Sequence, residues 1–586
     1  MENIPGLVSV IVFVLSFLIL AVWSTRRKRI ADKYSSIPKD ERFLLASRDI
    51  GWLFGFCSMT ATFVCGLFVN STTRSIYHEN FASTKTPWAL SFSLLIGGLL
   101  FAKKIRKSGY VTMLDPLQER YGKFVGGILF LPALLGEVLW VAAMVGMLGQ
   151  MFQVIFGNEH MSLLVILVVC VVVLNTVFGG LYSVVILNAV QLLCLVIGIW
   201  IAIPFALTHD HVMSISNTTD QWVGSFVAEN TGERLDHALF MIVGGIPWQV
   251  YFQHIISMKD VQQARAISCI SAFGCLVMAC PAIILGAVAK STDWESVFGN
   301  STTGTHLNDM GNLETDGILP ITLKYLTPSW VMFITLCGLI GAMMSSASSA
   351  FLSSASMFSR NIYKASKKTT SANETLWVVR FATIIIASMA TVLGLTLGTF
   401  TFDLWILSCD CIYVVLFPQL LCAVYVKWVN VYGAFPAIMV GSALRICGGI
   451  REFGVPAWIK FPFYDMENER QVFPFRTLAM GCSLLVLVLG SLIARRIEER
   501  FGANLSQDEI DILKISYKEP EIGEFTSFSK ITRWSGSYNN ITASALELRN
   551  KGREDKSLLK ATLGRNTSAC SNRPTIEACE EEKLEF

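Results

Sequence analysis

Thirteen stretches of this chain consist mainly of apolar residues, and shorter polar or charged segments separate them. A helix needs about 20 apolar residues to cross the hydrocarbon core of a bilayer, and the stretches reach or approach that length. The pattern predicts an all-α polytopic membrane protein with thirteen transmembrane helices, which we number as spans 1 to 13. They cover about residues 6–23, 50–72, 86–104, 124–156, 161–180, 184–207, 236–256, 264–289, 318–363, 376–396, 402–427, 431–448 and 474–494.

The charged residues between the spans indicate an orientation. The segments after spans 1, 3, 9 and 13 are rich in lysine and arginine, and thirteen spans place all four at one end of the bundle, here named the basic end. Because cytoplasmic loops carry an excess of such residues, we predict a plasma-membrane protein with its N-terminus outside and its C-terminus in the cytoplasm. The opposite loops hold Asn217 and Asn300 in Asn-X-Thr sequences, so both are predicted to be glycosylated.

Composition narrows the functional class. The chain is 53% hydrophobic and only 16% charged, unlike a soluble domain, and its net charge of +3 is too small to indicate a nucleic-acid partner. With no apparent nucleophile–base pair or Cys/His metal spacing, we do not expect an enzyme. We divide the chain into span 1 with its basic loop (1–47), a core (48–430, with halves 48–207 and 236–430), two C-terminal spans (431–496) and a tail (497–586).

The tail is polar and charged, so we predict that it is largely disordered and cytoplasmic. It contains Leu558 and Leu559 after an acidic pair, a pattern that resembles endocytic sorting signals and would bind endocytic adaptors. A chance match explains so short a pattern equally well.

Span 7 contains Gly-Gly-Ile-Pro-Trp-Gln at residues 244–249, which interrupts its helix. A helix opened inside a membrane survives only where it is buried in protein or lines a wet cavity. Span 2 carries scattered glycines and hydroxyls, which taken alone fit close helix packing equally well. Span 7 is the fifth span after span 2, as expected for two five-helix inverted repeats with a site between them. We therefore predict a 5+5 inverted-repeat core with a mid-membrane site beside Trp248.

Polar residues inside the predicted spans add candidates. Span 9 carries Ser345, Ser346 and further serines; hydroxyl oxygens suit sodium, but on spacing alone bonding to their own helix backbone is the better-supported explanation. Glu137 in span 4 and Asp410 in span 11 are ionisable residues within the membrane. Each either faces a cationic substrate or pairs within the bundle, and pairing is slightly better supported.

The chain resembles the sodium/solute symporters and, within them, the high-affinity choline transporter branch. The resemblance extends over about residues 45–495 and implies a thirteen-span, LeuT-like inverted-repeat core. The segments that carry it are Gly109–Pro116, Gly136-Glu137 with Trp140, Gly179–Ser183, Gly244–Gln253, Met344–Ala347, Met357–Tyr363 and Phe417–Cys422.

The resemblance also implies ligand sites. One is an aromatic cage that holds choline's quaternary ammonium against π faces, with Trp140 and Trp248 as two of its walls; we place Gln249 in the same site. The other is a sodium site that matches the family's Ala-x-x-Ser-Ser pattern, with opposing carbonyls from the unwound part of span 2. Its residues would be Ala342, Ser345 and Ser346 of span 9 and Gly55 and Ser58 of span 2.

Some positions depart from the branch. Phe63 stands where the branch has tryptophan, Leu90 where it has another aromatic residue, and Ser348 where it has an acid. Each lost cation–π contact is worth about 0.5–2 kcal/mol, which is about two- to thirtyfold in affinity. The loss of an acid removes a negative charge near the ion path.

Together these residues predict sodium-coupled uptake of choline across the plasma membrane by alternating access, without a cofactor. Sodium is the coupling ion, and chloride is a candidate second ion. By resemblance the protein would act in neurotransmitter biosynthesis at presynaptic and vesicular membranes. Two alternatives stay open: a divergent paralogue that carries another organic cation or is weakly coupled to sodium, and a non-transporting sensor or substrate-gated conductor.

Overall fold

The computed structural model describes residues 4–32, 37–225, 231–298, 317–367, 369–450, 453–467 and 469–502. In these ranges the chain is almost entirely helical, with one short hairpin of Tyr464–Asp465 and Arg470–Gln471. The helices that correspond to the predicted spans are Ile4–Asp32, Trp52–Phe63 with Gly66–His78, Thr86–Ile96 with Gly97–Ala102 and Lys103–Ser108, Asp115–Phe156, Asn158–Leu207, Thr231–Gly244 with Gln249–Ser257, Val261–Lys290, Ser329–Met357 with Phe358–Lys364, Ala372–Thr396, Thr401–Cys411 with Ile412–Leu416 and Phe417–Tyr425, Val431–Cys447 and Phe475–Gly502.

Shorter helices connect them. They are Lys39–Leu45, Ala46–Arg48, Phe81–Ser83, Thr219–Trp222, Trp294–Phe298, Ile318–Leu326 and Gly398–Phe400. Asn300 and the pair Leu558 and Leu559 lie outside the described residues.

The all-helical, multi-pass fold class is confirmed, but the count of thirteen is not. Among the described residues, ten helices are long and apolar enough to cross a membrane, and the bent pair of span 2 makes an eleventh. Predicted spans 5 and 6 fall within one element, Asn158–Leu207, and span 12, Val431–Cys447, has only 17 residues. These two features account for the difference.

A glycine separates predicted spans 5 and 6 inside Asn158–Leu207. Gly180 has φ +59° and ψ −168°, a non-helical backbone that L side chains rarely adopt, so the element contains a kink there. A Cβ at this position would also lie 2.7 Å from the Phe43 carbonyl oxygen. The kink therefore depends on glycine for its dihedral angles and for its close contact with the segment before span 2.

Span 9 begins later than its apolar run predicts. The run at 318–363 contains a separate helix, Ile318–Leu326, before the long helix Ser329–Met357. Pro328 disfavours a helical conformation at the preceding Thr327, which is extended with φ −133° and ψ 151°. The prediction of one continuous span was wrong for this reason.

Spans 2 and 7 are both broken, as the inverted-repeat prediction requires. Span 7 opens between Gly244 and Gln249, and Trp248 is extended with φ −97° and ψ 131°. The two helices of span 2 meet at 49° around Val64 and Cys65. The prediction that span 2 unwinds near Gly55 and Ser58 was wrong, because both residues lie inside the regular helix Trp52–Phe63.

Close contacts fix the position of each break. A Cβ on Gly66, directly after the break in span 2, would lie 2.8 Å from Cγ of Met343 in span 9. A Cβ on Gly245 would lie 2.4 Å from the Ser93 hydroxyl of span 3, and one on Gly244 would lie 3.0 Å from Cβ of Tyr413. The break in span 2 therefore packs on span 9, and that in span 7 packs between spans 3 and 11.

Candidate substrate and sodium site

Two tryptophans meet at the break in span 7. Trp248 ends the open segment, and Trp140 lies in the middle of Asp115–Phe156. Their ring centroids are 5.0 Å apart and the rings are inclined by 72°, so the edge of one ring faces the other. Both side chains are buried. A cation within about 6 Å of a ring centroid is attracted to the π face, so the pair forms two adjoining walls that suit an organic cation.

Phe63 and Leu90 are also buried, but Phe63 makes no ring contact with either tryptophan among the described residues. Phe63 is the last residue before the break in span 2, and its ring lies 6.4 Å from that of Tyr251. Leu90 lies on span 3, one turn from Ser93, which packs against Gly245. The contact of span 3 with the break in span 7 is thus made by Ser93, one turn beyond Leu90.

Gln249 does not present a free amide to the tryptophan pair. Its Oε1 accepts a hydrogen bond of 2.6 Å from the Met113 backbone N–H, and its Nε2 donates to the Ser356 hydroxyl at 3.3 Å. The side chain is buried, and its bonds run to the loop between spans 3 and 4 and to span 9. In this structure both polar atoms of the Gln249 amide therefore join span 7 to other elements.

The oxygen cluster predicted for sodium lies at the break in span 2. The Ser346 hydroxyl donates to the Thr62 carbonyl at 2.8 Å, and it also lies 3.5 Å from the Ala61 carbonyl and 3.2 Å from the Ala342 carbonyl. These are hard oxygen ligands, which sodium prefers. The carbonyls that face span 9 belong to Ala61 and Thr62, near the end of the first helix of span 2, rather than to Gly55 or Ser58.

Ser345 supplies an independent test of whether the cluster fits a cation. Its side chain is fully buried, and its hydroxyl has no hydrogen-bond partner within the described part of the chain. A buried hydroxyl without a partner costs about 1–3 kcal/mol, which coordination of an ion would offset. Ser345 and Ser346 therefore fit sodium.

Gly55 and Ser348 are engaged elsewhere. A Cβ on Gly55 would lie 2.8 Å from side-chain atoms of Met258 and Ile267, so this glycine packs against span 8 and the segment before it. The Ser348 hydroxyl donates to the Ser345 carbonyl at 2.9 Å in its own helix. Neither residue adds a free oxygen to the cluster.

Ser58 belongs to a buried hydrogen-bond network that was not predicted. Its hydroxyl lies 2.9 Å from Nε2 of His254 and accepts a bond of 2.9 Å from the Asn188 amide. Asn188 also donates to Thr62 and Ser349, at 3.3 and 3.2 Å. The network joins both broken spans to spans 6 and 9 beside the sodium cluster. The rule that identified Glu137, that ionisable residues within spans need a reason, applies equally to His254, and its extension to amide side chains would have identified Asn188.

The two predicted intramembrane acids have different surroundings. Glu137 Oε1 accepts a bond of 3.1 Å from the Ser353 hydroxyl of span 9, whereas Oε2 has no hydrogen-bond partner in the described ranges. Asp410 Oδ2 accepts from Nη2 of Arg445 at 2.6 Å and from Nε of Arg476 at 3.0 Å. Asp410 therefore forms ion pairs within the bundle, whereas Glu137, one turn from Trp140, forms none among the described residues and interacts with the Ser353 hydroxyl and the Val250 backbone N–H.

The network of ion pairs around Asp410 extends through Arg476 to span 7. Asp236, at the start of that span, accepts from the Thr477 backbone N–H at 2.7 Å and from the Thr477 hydroxyl at 2.6 Å, next to Arg476. The network thus ties the first helix of span 7 to spans 11, 12 and 13. Removing one partner of a buried ion pair typically costs 3–5 kcal/mol, so these contacts hold that helix firmly.

Comparison with known proteins identifies the family to which this architecture belongs. The sodium:solute symporter family model matches residues 43–441. The chain is 42% identical to the Drosophila melanogaster protein "High-affinity choline transporter 1" over 490 residues, covering 83% of this chain and 78% of that protein. It is 40% identical to the Homo sapiens protein "High affinity choline transporter 1" over 509 residues, covering 85% of this chain and 86% of that one.

A solved structure shows the same fold. The outward-open, substrate-bound structure of a Na+-coupled sialic acid symporter superimposes with a TM-score of 0.67 at 15% sequence identity. The match covers 83% of this chain and 98% of the symporter. Together with the two broken spans and the extent of the family match, this similarity shows that the chain belongs to the sodium:solute symporter family.

Proposed function

We propose that this protein takes up choline in a sodium-coupled, alternating-access cycle. The observation that carries the proposal is the buried pair Trp140 and Trp248 at an open helix, which supplies π faces for a quaternary ammonium group that cannot form hydrogen bonds. Relatives that are about 40% identical over most of their length are named high-affinity choline transporters, which supports choline as the substrate.

Sodium has a separate and adjoining place in this cycle. The proposed ligands are the hydroxyls of Ser345 and Ser346 and the carbonyls of Ala342, Ala61 and Thr62. Because these oxygens come from spans 2 and 9, a bound sodium ion would hold the two spans together and fix the end of span 2. Substrate binding between the tryptophans would then act on a site that sodium has already ordered.

The test is uptake of radiolabelled choline by cells that express the protein. We expect saturable uptake that is lost when lithium replaces sodium. Surface-resident protein that neither binds nor accumulates choline would refute the proposal. Choline-evoked current that greatly exceeds tracer flux would instead support a substrate-gated conductor.

A related organic cation is a second candidate substrate. By resemblance, Leu90 stands where the choline transporter branch has an aromatic residue and Phe63 stands where it has tryptophan, and Phe63 makes no ring contact with Trp140 or Trp248 among the described residues. The proposed cage therefore has one π face fewer at Leu90 and a weaker one at Phe63. A panel of quaternary ammonium compounds in a thermal-shift assay, with and without sodium, would rank the substrates directly.

We further propose that the basic end faces the cytoplasm of a plasma-membrane protein. Asn217 is exposed on the opposite side of the predicted topology, in the turn after span 6, where a glycan can be attached. Substitution Asn217→Gln should reduce the mass that glycosidase removes. An unchanged glycosidase-sensitive mass would place any glycan elsewhere, and complete insensitivity of the wild type would argue against the orientation.

A further inference from the structure

Gln249 lies between the tryptophan pair and the basic end of the bundle. It follows Trp248 directly and is the first residue of the second helix of span 7. The side chain is only 1% exposed. Its short bond from the Met113 N–H and its longer one to Ser356 connect span 7 to two other elements. A buried amide bonded in this way is sensitive to any relative movement of those elements.

The loop that contains Met113 is anchored on its other side to span 9. The Thr112 hydroxyl donates to Oδ1 of Asp115 at 2.8 Å, and Nδ2 of Asn361 donates to the same oxygen at 2.9 Å. Among the hydrogen bonds of the described residues, the Gln249 bond is the one that joins loop 109–114 to span 7. Gln249 therefore links a rigid assembly of loop and span 9 to the helix that follows the substrate site.

The remainder of that helix closes the basic end. Nε2 of Gln253 donates to the Leu44 carbonyl at 2.8 Å, and Nε of Arg106 donates to the Met258 carbonyl at 2.8 Å. Release of a substrate toward the basic end requires this helix to part from its neighbours. Because Gln249 directly follows Trp248 in the chain, a movement of Trp248 acts on the Gln249 contact through the backbone.

We propose that Gln249 is a positioning residue that keeps the gate at the basic end closed and couples its opening to Trp248. The inference rests on the proposed alternating-access function and deepens it. When Trp248 shifts, the amide loses its geometry with the Met113 N–H, and the loop separates from span 7. Loss of one uncharged hydrogen bond shifts such a two-state equilibrium by about three- to tenfold toward the open form.

The test measures gate opening directly and needs no substrate. Met113 is fully buried, and replacing its side chain leaves the backbone N–H in place, so Met113→Cys reports opening through its rate of labelling by a charged thiol reagent. The reagent is applied to the basic end in inside-out membrane vesicles, with sodium present and absent. The same labelling of the protein without Met113→Cys measures the reaction of the native cysteines, which is then subtracted.

Three substitutions separate the bond from general loosening. Gln249→Met keeps the side-chain length but removes the acceptor, and it should raise the labelling rate by about three- to tenfold. Gln249→Glu keeps an acceptor for the Met113 N–H and should return the rate to within about twofold of the parent. Gln150→Met is the matched control, because its partly buried amide bonds the Gly398 carbonyl at 2.7 Å at the opposite end of span 4; its labelling rate should be unchanged.

Choline uptake supplies a second measurement. In Gln249→Met, the fold rise in labelling rate multiplied by the fold rise in KM for external choline should equal about three- to tenfold. The labelling rate follows the open fraction of molecules, and KM follows the fraction that still faces outward, whereas the Gln150 control keeps the parent KM. Equal labelling in parent and Gln249→Met would overturn the inference, as would failure of Gln249→Glu to restore closure. If the parent showed no choline uptake, the proposed function would fail while the labelling result still tested the gate.

Discussion

The breaks in spans 2 and 7 differ in the chemical groups that they expose. Span 7 opens over several residues that include a proline, and it presents the side chain of Trp248 to a second tryptophan. Span 2 bends over two residues, Val64 and Cys65, and presents main-chain carbonyls to the serines of span 9. One break therefore suits a bulky organic cation and the other suits a small hard ion.

This difference assigns separate chemistry to each half of the inverted repeat. A quaternary ammonium group has no hydrogen to donate and no lone pair to share, so aromatic faces hold it where carbonyls alone would not select it. Sodium gains most from several close oxygens, and an unwound turn supplies them without any charged side chain. Substitutions at one break should accordingly change affinity for one ligand and largely spare the other.

The largest expected effect is at Trp248. Replacement by alanine removes a π face from a desolvated site, a loss of about 2 kcal/mol, so choline KM should rise about thirtyfold. Sodium dependence at saturating choline should change less than twofold. Trp88→Ala is a suitable control, since this tryptophan of span 3 is 41% exposed and lies on the outside of the bundle.

A Trp248→Ala protein that loses sodium dependence as strongly as choline affinity would break the division between the two sites. In that case Trp248 would organise both breaks instead of binding the organic cation. Trp248→Phe should give an intermediate KM, because phenylalanine keeps a weaker π face.

The second effect concerns the oxygen cluster. Ser346→Ala removes a hydroxyl that contacts the carbonyls of both spans, and we expect about a tenfold rise in the sodium concentration for half-maximal uptake. Choline KM at saturating sodium should stay within about twofold. Ser354→Ala is the matched control, because the Ser354 hydroxyl donates to the Ala350 carbonyl of its own helix and contacts no carbonyl of span 2 among the described residues.

If Ser346→Ala and Ser354→Ala had equal effects, the serines of span 9 would contribute through helix packing alone. That outcome would support the interpretation that the spacing of these serines favours, in which each hydroxyl bonds the backbone of its own helix. Sodium titration of uptake at several fixed choline concentrations distinguishes the two results.

The sequence alone locates the break in span 7 but not the break in span 2. The residues of span 7 themselves indicate its break, since Pro247 cannot continue a helix and the nearby glycines tolerate the opening. The break in span 2 contains neither glycine nor proline at Val64 and Cys65; it is set by the approach of Gly66 to Met343, a contact between residues far apart in the chain. Local patterns therefore pointed to span 2 without locating its break, and the position near Gly55 and Ser58 that the resemblance implied was wrong.

The same limit applies to individual site residues. Trp140 and Trp248 were predicted as neighbours through family resemblance, and the structure brings them into contact. Gln249 is predicted to lie in the substrate site, but the sequence gives no sign that its amide bonds a loop more than a hundred residues away, at Met113. Asn188 and His254 join a network across four spans, which no spacing within a single helix can show.

We expect the weakest effect at Phe63, a residue that lies beside the sodium carbonyls and also belongs to the proposed cage. Phe63 ends the first helix of span 2, close to the sodium carbonyls of Ala61 and Thr62, yet it occupies a cage position by family resemblance. Phe63→Trp should strengthen one cation–π contact by about 0.5–1 kcal/mol and lower choline KM about two- to fivefold. Tyr251, whose ring lies 6.4 Å from Phe63, provides the control: Tyr251→Phe keeps that ring contact and should leave KM unchanged.

Sodium titration of uptake distinguishes a role for Phe63 in the choline cage from a role at the sodium site. If Phe63→Trp lowers choline KM and leaves half-saturation by sodium unchanged, the first helix of span 2 contributes a side chain to the cage and carbonyls to the ion independently. A change in sodium half-saturation without a change in choline KM would show that the ring acts on the carbonyls behind it, and Phe63 would then belong to the sodium break alone. Because the larger indole must fit a buried position, surface expression and thermal stability are measured in the same cells, and a gain in affinity at normal expression cannot arise from misfolding.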